Sequence, residues 1–209
     1  KSGLKKDHSV AYPTNDASGV AIADLKKDGK KDLIFANFSS GRSFGDVDTY
    51  VYYGGPDFKY SPERMTKIPV AGGMQSVSGD FNADGISDAL LISSGEDDSR
   101  NLLNTVSSIF WGSKDGLAAD QKTDLPPGAR GFGATVADLN SDGYLDFVLG
   151  DLYGKQLRIY YGSKEGYTEK GLQSLESSDP FFVRAVDLNG DGMLDLISPH
   201  CNENKVVIY

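Results

Sequence analysis

The chain of 209 residues carries a net charge of −9, with 25 glycines, 11 tyrosines and 10 phenylalanines. That length suits one sizeable domain, and an acidic balance without a basic stripe excludes nucleic acid as a partner. No apolar run approaches the roughly 18 residues of a membrane helix, so membrane insertion is excluded, and a lone Cys201 cannot form an intrachain disulfide.

In chain order, residues 3–14, "GLKKDHSVAYPT", resemble "GLAADQKTDLPP" at 116–127 and predict a polar outer strand. A short Val- and Ala-rich strand, "SGVAIADL", then enters the loop "DLKKDGKKDL" beginning at Asp24. Out of the loop comes "DLIFAN", a short apolar run that predicts a strand buried on both faces. "TYVYYGG", aromatic and β-branched and ending in Gly, predicts a third strand and its turn, and "KYSPERMTKIPV" a solvent-facing fourth.

The same order returns three times. "MQSVSGDF" leads into "DFNADGISDA" at Asp80, then "DALLIS", "SSIFWGS" and "LAADQKTDLPP". "GATVADL" leads into "DLNSDGYLDF" at Asp138, then "DFVLGD", "LRIYYGS" and "EKGLQSLESS". "FVRAVDL" leads into "DLNGDGMLDL" at Asp187, then "DLISPH" and the terminal "KVVIY". Four strands in a period of roughly fifty residues predict an all-β fold, a β-propeller of four-stranded antiparallel blades with four repeats in this chain. The blades fall near residues 15–70, 71–127, 128–178 and 179–209, the last completed by residues 1–14 as its outer strand. Two readings stand open: a closed four-bladed ring zipped by its termini, or part of a longer propeller, which a chain starting at Lys1 rather than Met favours.

The loops share the template D-x-N-x-D-G-x-x-D. Ca²⁺ takes roughly 6–8 oxygens at about 2.3–2.6 Å, and a short loop supplies them from alternate side chains plus one carbonyl. The expected ligands are Asp80, Asn82, Asp84 and Asp88 with the Ile86 carbonyl, then Asp138, Asn140, Asp142 and Asp146 with that of Tyr144. The last loop offers Asp187, Asn189, Asp191 and Asp195 with the Met193 carbonyl, and the first Asp24, Asp28 and Asp32 with that of Lys30. Glycines at 29, 85, 143 and 192 allow the sharp turn after the third ligand position. An EF-hand needs Glu at loop position twelve and flanking helices, whereas that position holds Phe35, Leu91, Leu149 or Ser198. In the first loop Lys26 replaces the Asn, and Lys27, Lys30 and Lys31 crowd the turn, so three sites are well formed and the fourth is weaker or filled by an ammonium. Twelve of the 30 acidic residues sit in these loops, and four Ca²⁺ would bring the net charge close to zero.

With its closest match at residues 131–151, "GFGATVADLNSDGYLDFVLGD", the chain resembles the FG-GAP/VCBS repeat family of calcium-loop propellers, found also in integrin α-subunit heads. The resemblance covers essentially the whole chain. It implies a secreted, periplasmic or cell-surface module that binds a protein or glycan ligand through its blade loops, with structural calcium. Further blades or a second copy are possible assembly partners. Millimolar calcium outside cells fits such a location.

The acidic residues are committed to the loops, and no Ser-His-Asp or Cys-His order stands out. His200–Cys201 reads as a residue pair at a strand end, and His8 as a surface histidine. Recurrence of Tyr52, Tyr53, Trp111, Tyr160 and Tyr161 at one place in each blade argues for packing before sugar stacking. "GFG" at 131–133 lacks the Lys-Ser/Thr and the helix of a phosphate loop. The longest insertions, 37–48 and 93–105, put Arg42, Phe44 and Arg100 forward as binding-face candidates. The rival class is a propeller-based or propeller-appended polysaccharide-degrading enzyme.

Overall fold

A computed structural model of the chain describes residues 9–39, 47–56, 59–70, 72–94, 106–126, 130–200 and 202–209. The described residues form four small antiparallel sheets around one axis, a four-bladed β-propeller. The first blade holds β1 (Ala17–Ala23), β2 (Asp32–Asn37), β3 (Thr49–Tyr52) and β4 (Met65–Ile68), in that order across the sheet. The second holds β5 (Gly73–Gly79), β6 (Asp88–Ser93), β7 (Ser108–Phe110) and β8 (Lys122–Asp124). The third holds β9 (Ala134–Ala137), β10 (Asp146–Asp151), β11 (Gln156–Tyr160) and β12 (Leu172–Glu176). The fourth has three described strands, β13 (Arg184–Val186), β14 (Asp195–His200) and β15 (Lys205–Ile208).

The second strand of each blade is apolar at consecutive positions because it packs on both sides. All six residues of β6 and of β10 are buried. Side chains alternate between faces, so two sets emerge from one strand. In β6, Ala89 and Leu91 join Ala21, Ile34 and Val51 of the first blade in one core. Leu90 and Ile92 point the other way and join Phe147, Leu149 and Tyr160 of the third blade. Val148, Leu157 and Ile159 in turn meet Leu196 and Val183 of the fourth. Each blade therefore presents a forward face to its successor and a back face to its predecessor. Burying one Leu or Ile at such a seam contributes about 1.5–3 kcal/mol, so three seams carry most of the stabilisation.

Polar links reinforce the seams. Ser76 Oγ donates to the Ile34 carbonyl (3.1 Å), the Ala185 N–H to Thr135 Oγ1 (3.3 Å), and Tyr53 Oη accepts from Leu117 N–H (2.8 Å). The recurrent aromatics are packing residues: Tyr52, Phe110 and Tyr160 are fully buried, and Phe147 stacks on Tyr160 with centroids 4.6 Å apart. The outer strands are polar as expected, β8 being exposed at every residue.

The expected outer strand of the fourth blade falls largely on residues 1–8, outside the described residues. Residues 9–14 carry no strand. Instead, Tyr12 lies against Tyr52 (centroids 5.8 Å), the Pro13 carbonyl accepts from Tyr52 Oη (2.6 Å), and Asn15 Nδ2 donates to Tyr50 Oη (2.7 Å). This segment lines the back of the first blade.

Candidate functional site

Each Asp loop joins the first strand of a blade to the second and is built mainly by its own side chains. In the second loop, Asp80 Oδ1 accepts from the Asp84 N–H (3.0 Å) and Oδ2 from the Gly85 N–H (2.7 Å). Asn82 Oδ1 also accepts from Asp84 N–H, while its Nδ2 donates to Asp84 Oδ2, both at 3.0 Å. Asp84 Oδ1 accepts from Ile86 N–H at 2.8 Å. The third loop repeats these contacts with Asp138, Asn140, Asp142, Gly143 and Tyr144. The fourth repeats them with Asp187, Asn189, Asp191, Gly192 and Met193, except that the Gly190 N–H takes the place at Asp187 Oδ1. The backbone N–H of Gly192, ahead of that of Gly190, holds the Asp187 carboxyl below its ordinary range.

Sequence reading found the glycines but missed a second special position. Gly29, Gly85, Gly143 and Gly192 have φ of 81°, 83°, 91° and 88°. Two residues earlier, Lys27, Ala83 and Ser141 also adopt the left-handed region, at 51°, 58° and 59°, with Gly190 (78°) at that place in the fourth loop. No sequence signal marked Lys27 and Ala83, because neither residue type favours that conformation.

The ninth loop position does a different job. Asp88 is fully buried; Oδ2 accepts from Phe81 N–H and Oδ1 from Gly112 N–H, each at 2.8 Å. It thereby ties the loop entrance to the turn after β7. Asp32 does the same with Leu25 and Gly54, and Asp146 with Leu139 and Gly162. Asp195 holds only Leu188 N–H, at 3.0 Å, among the described residues. Burial pushes the Asp88 carboxyl up to about 6 against the pull of its two N–H partners, and raises Asp32 and Asp146 in the same direction.

The first loop departs where its lysines predicted. Lys30 Nζ sits 2.8 Å from Asp28 Oδ2, the place the Asn amide takes in the other three loops. That hydrogen bond from Lys30 holds the Asp28 carboxyl below its ordinary value. Lys26 lies over the Tyr53 ring, 5.0 Å from the centroid, beside a cavity of about 470 Å³ also lined by Lys30, Arg64 and Asp115.

Among the described residues, no three His, Cys, Asp or Glu side chains are gathered as a preformed metal cage. The donor set of loops two to four nonetheless suits a hard cation. Each places two carboxylates and an amide oxygen on one turn, exposed, with no Lys or Arg ion pair on them among the described residues. An oxygen already accepting one N–H keeps a second lone pair for a metal.

A further cluster surrounds His200, buried at the end of β14. Ser177 Oγ is 2.8 Å from Nε2, while Ser178 Oγ and Glu203 Oε2 lie 3.1 and 3.2 Å from Nδ1. Lys205, Ser178 and His200 hold the Glu203 carboxyl down to about 2. A hydroxyl, an imidazole and a carboxylate in this order resemble a nucleophile relay. Ser177, however, is only 3% exposed, so no substrate reaches it, and the cluster fastens the segment after β12 to β14. The binding-face candidates Arg42, Phe44 and Arg100, like His8 and Cys201, lie outside the described residues.

The description FG-GAP-like repeat belongs to the family whose profile matches residues 80–149 and 138–198, together more than half of the chain. No curated protein matches. Among solved structures, the rhamnogalacturonan lyase PL11 of Bacillus licheniformis is 17% identical with a TM-score of 0.52, covering 88% of this chain and 40% of that one. BBS1N, crystallised in complex with ARL6DN and soaked with lead, is 10% identical with a TM-score of 0.53, covering 93% of this chain and 57% of that one. At these identities the likeness shows the fold alone, and the chain spans less than two thirds of either protein.

Proposed function

Because the chain belongs to the FG-GAP-like repeat family, we propose that it is a calcium-stabilised interaction module of the cell exterior, binding a protein or glycan through its blade loops. The carrying observation is the threefold recurrence of one exposed Asp–Asn–Asp turn, in loops two to four, at the junction of the first and second strands. The ion would be held by Asp80, Asn82 and Asp84 and their counterparts, with Asp88, Asp146 and Asp195 behind them. Bound there, calcium supplies charge neutralisation, relieving repulsion between carboxylates crowded on one turn. Asp88 and Asp146 already clamp the turn after the third strand, so an ion beside them stiffens the blade from its first strand to its third. The first loop takes no ion, because an ammonium already occupies Asp28.

Equilibrium dialysis against radioactive calcium tests the reading, with three ions per chain expected. None bound at millimolar calcium would remove it. The rival, a polysaccharide-degrading propeller, gains nothing from the lyase likeness, since fold does not carry function. Turnover of acidic or neutral polysaccharides, lost on changing loop residues outside the Asp turns, would decide for it.

A further inference from the structure

The first loop reverses the charge of its counterparts. Loops two to four expose acidic turns on a chain of net charge −9, whereas the first brings Lys26 and Lys30 to the cavity of about 470 Å³ described above. Arg64 at the start of β4 and Asp115 of the second blade line it as well, so it straddles the first seam. That volume falls within the roughly 300–1,000 Å³ of sites for small ligands.

The second and third blades do not repeat this combination. The N–H just past the third strand, of Tyr53, Trp111 or Tyr161, donates to the carbonyl of Arg64, Gln121 or Gly171. Those three acceptors are therefore equivalent positions, as are Lys26, Asn82 and Asn140 in the loops. Two cations stand in the first blade where its successors have amides or glycine.

Neither cation is spent inside the chain. Lys26 lies over the Tyr53 ring, and Arg64 Nη2 donates to the Lys59 carbonyl at 2.6 Å. Neither makes an ion pair among the described residues. The guanidinium lies so close to Gly55 that a Cβ there would collide with it, and with the Lys59 contact this fixes where Arg64 points. Of the carboxylates at the cavity, Asp28 is taken by Lys30 at 2.8 Å. The N–H of Glu63 itself and the Ser61 hydroxyl hold the Glu63 carboxyl below its ordinary value. The Asp115 carboxylate has no ion pair among the described residues and remains an acceptor for a ligand donor.

The ligand that suits this lining offers an anion to two cations and a hydroxyl to a carboxylate. A uronate ring carries both. Its carboxylate matches the planar fork of a guanidinium, and its ring hydroxyls donate. A bare sulfate has no donor for Asp115. We propose that the cavity binds a uronate ring of an acidic glycan, with Lys26 and Arg64 on the carboxylate and Asp115 on a ring hydroxyl. The proposal rests on the glycan half of the function proposed above and not on bound calcium.

Titration calorimetry in excess EGTA tests it, with tetragalacturonate and its carboxyl methyl ester as probes. EGTA removes calcium as a bridge between sugar carboxylates and the Asp turns. The acid should bind, and the ester, alike in rings and hydroxyls, should bind about tenfold more weakly or worse. Lys26→Met keeps an unbranched stem over Tyr53 without the charge, and Arg64→Met likewise removes only the guanidinium. Each should weaken the acid about tenfold, with far-ultraviolet circular dichroism unchanged. Lys164→Met, which removes an exposed cation from a turn of the third blade, should leave binding as it is. Equal affinity for acid and ester overturns the proposal, as does wild-type affinity in both the Lys26 and Arg64 variants. Binding that appears only with calcium also overturns it, moving the sugar to the Asp turns while the glycan reading stands. No binding in either condition removes the proposal and leaves a protein ligand as the reading of the module.

Discussion

The first and second Asp loops trace nearly the same backbone with different chemistry on one carboxylate. Left-handed residues stand at the same two places, Lys27 and Gly29 in one, Ala83 and Gly85 in the other. Both use the leading Asp to hold two N–H groups and the ninth Asp to hold two more. Asp28 meets the ammonium of Lys30, however, and Asp84 the amide of Asn82. The turn is thus shaped by hydrogen bonds from backbone N–H groups to carboxylates, and what varies is whether an ammonium of the chain meets the charge left over.

Breaking what the loops share should have the largest effect. Asp88→Ala leaves the Phe81 and Gly112 N–H groups buried without a partner, a loss of about 3 kcal/mol in urea unfolding. Asp195→Ala frees one N–H at a less buried place and should cost about 1 kcal/mol. Equal losses at the two positions would contradict the clamp assigned to Asp88.

Converting one loop into the other comes next. Ile86→Lys gives the second loop the residue found at Lys30 in the first, whose ammonium meets Asp28, and should remove one bound calcium per chain. About 2.7 kcal/mol of calcium-dependent stabilisation should go with it, if the ion is present at about a hundred times its dissociation constant. Titration calorimetry giving the wild-type stoichiometry would sever the link between lysine and occupancy.

A smaller effect is expected from pH in the absence of calcium. Burial raises the folded-state Asp88 carboxyl to about 6, above its ordinary 3.8, so the folded chain takes up a proton as pH falls through that range. The stability tied to that proton is present at low pH and lost as pH rises through 6. Between pH 7 and 5 the wild type should therefore gain about 1 kcal/mol relative to Asp88→Asn, which cannot titrate. A gap independent of pH would show that Asp88 is not titrating there. The smallest effect separates the second loop from the fourth. Ala83→Gly should stabilise by about 0.5 kcal/mol by relieving φ of 58°, and Gly190→Ala should cost a similar amount.

Much of the fold was legible because its signals are local. The run "DALLIS" announces a strand with two buried faces, and the Gly after the third loop ligand announces the turn. The strand segments named from residue 17 onward appear in order, from β1 to β15, whereas residues 9–14 of the outer strand expected at 3–14 carry none. What sequence did not show depends on distant partners. Asp88 reads as a metal ligand, and nothing beside it in sequence shows that it also holds the N–H of Gly112, 24 residues away. His200 reads as an ordinary strand end until Ser177 is brought to 2.8 Å by the neighbouring blade. The forward and back assignment of Leu90 and Leu91 was hidden because either face of a uniformly apolar strand can point either way.

The most direct measurement is a thermal melt of the chain in excess EGTA and again in about 1 mM calcium, the range of extracellular modules. Calcium binding at loops two to four should raise the melting temperature by several degrees, each filled site adding a few kcal/mol at saturating ion. An unchanged melt would contradict the central claim and leave the Asp turns as hydrogen-bonded corners that no ion stabilises.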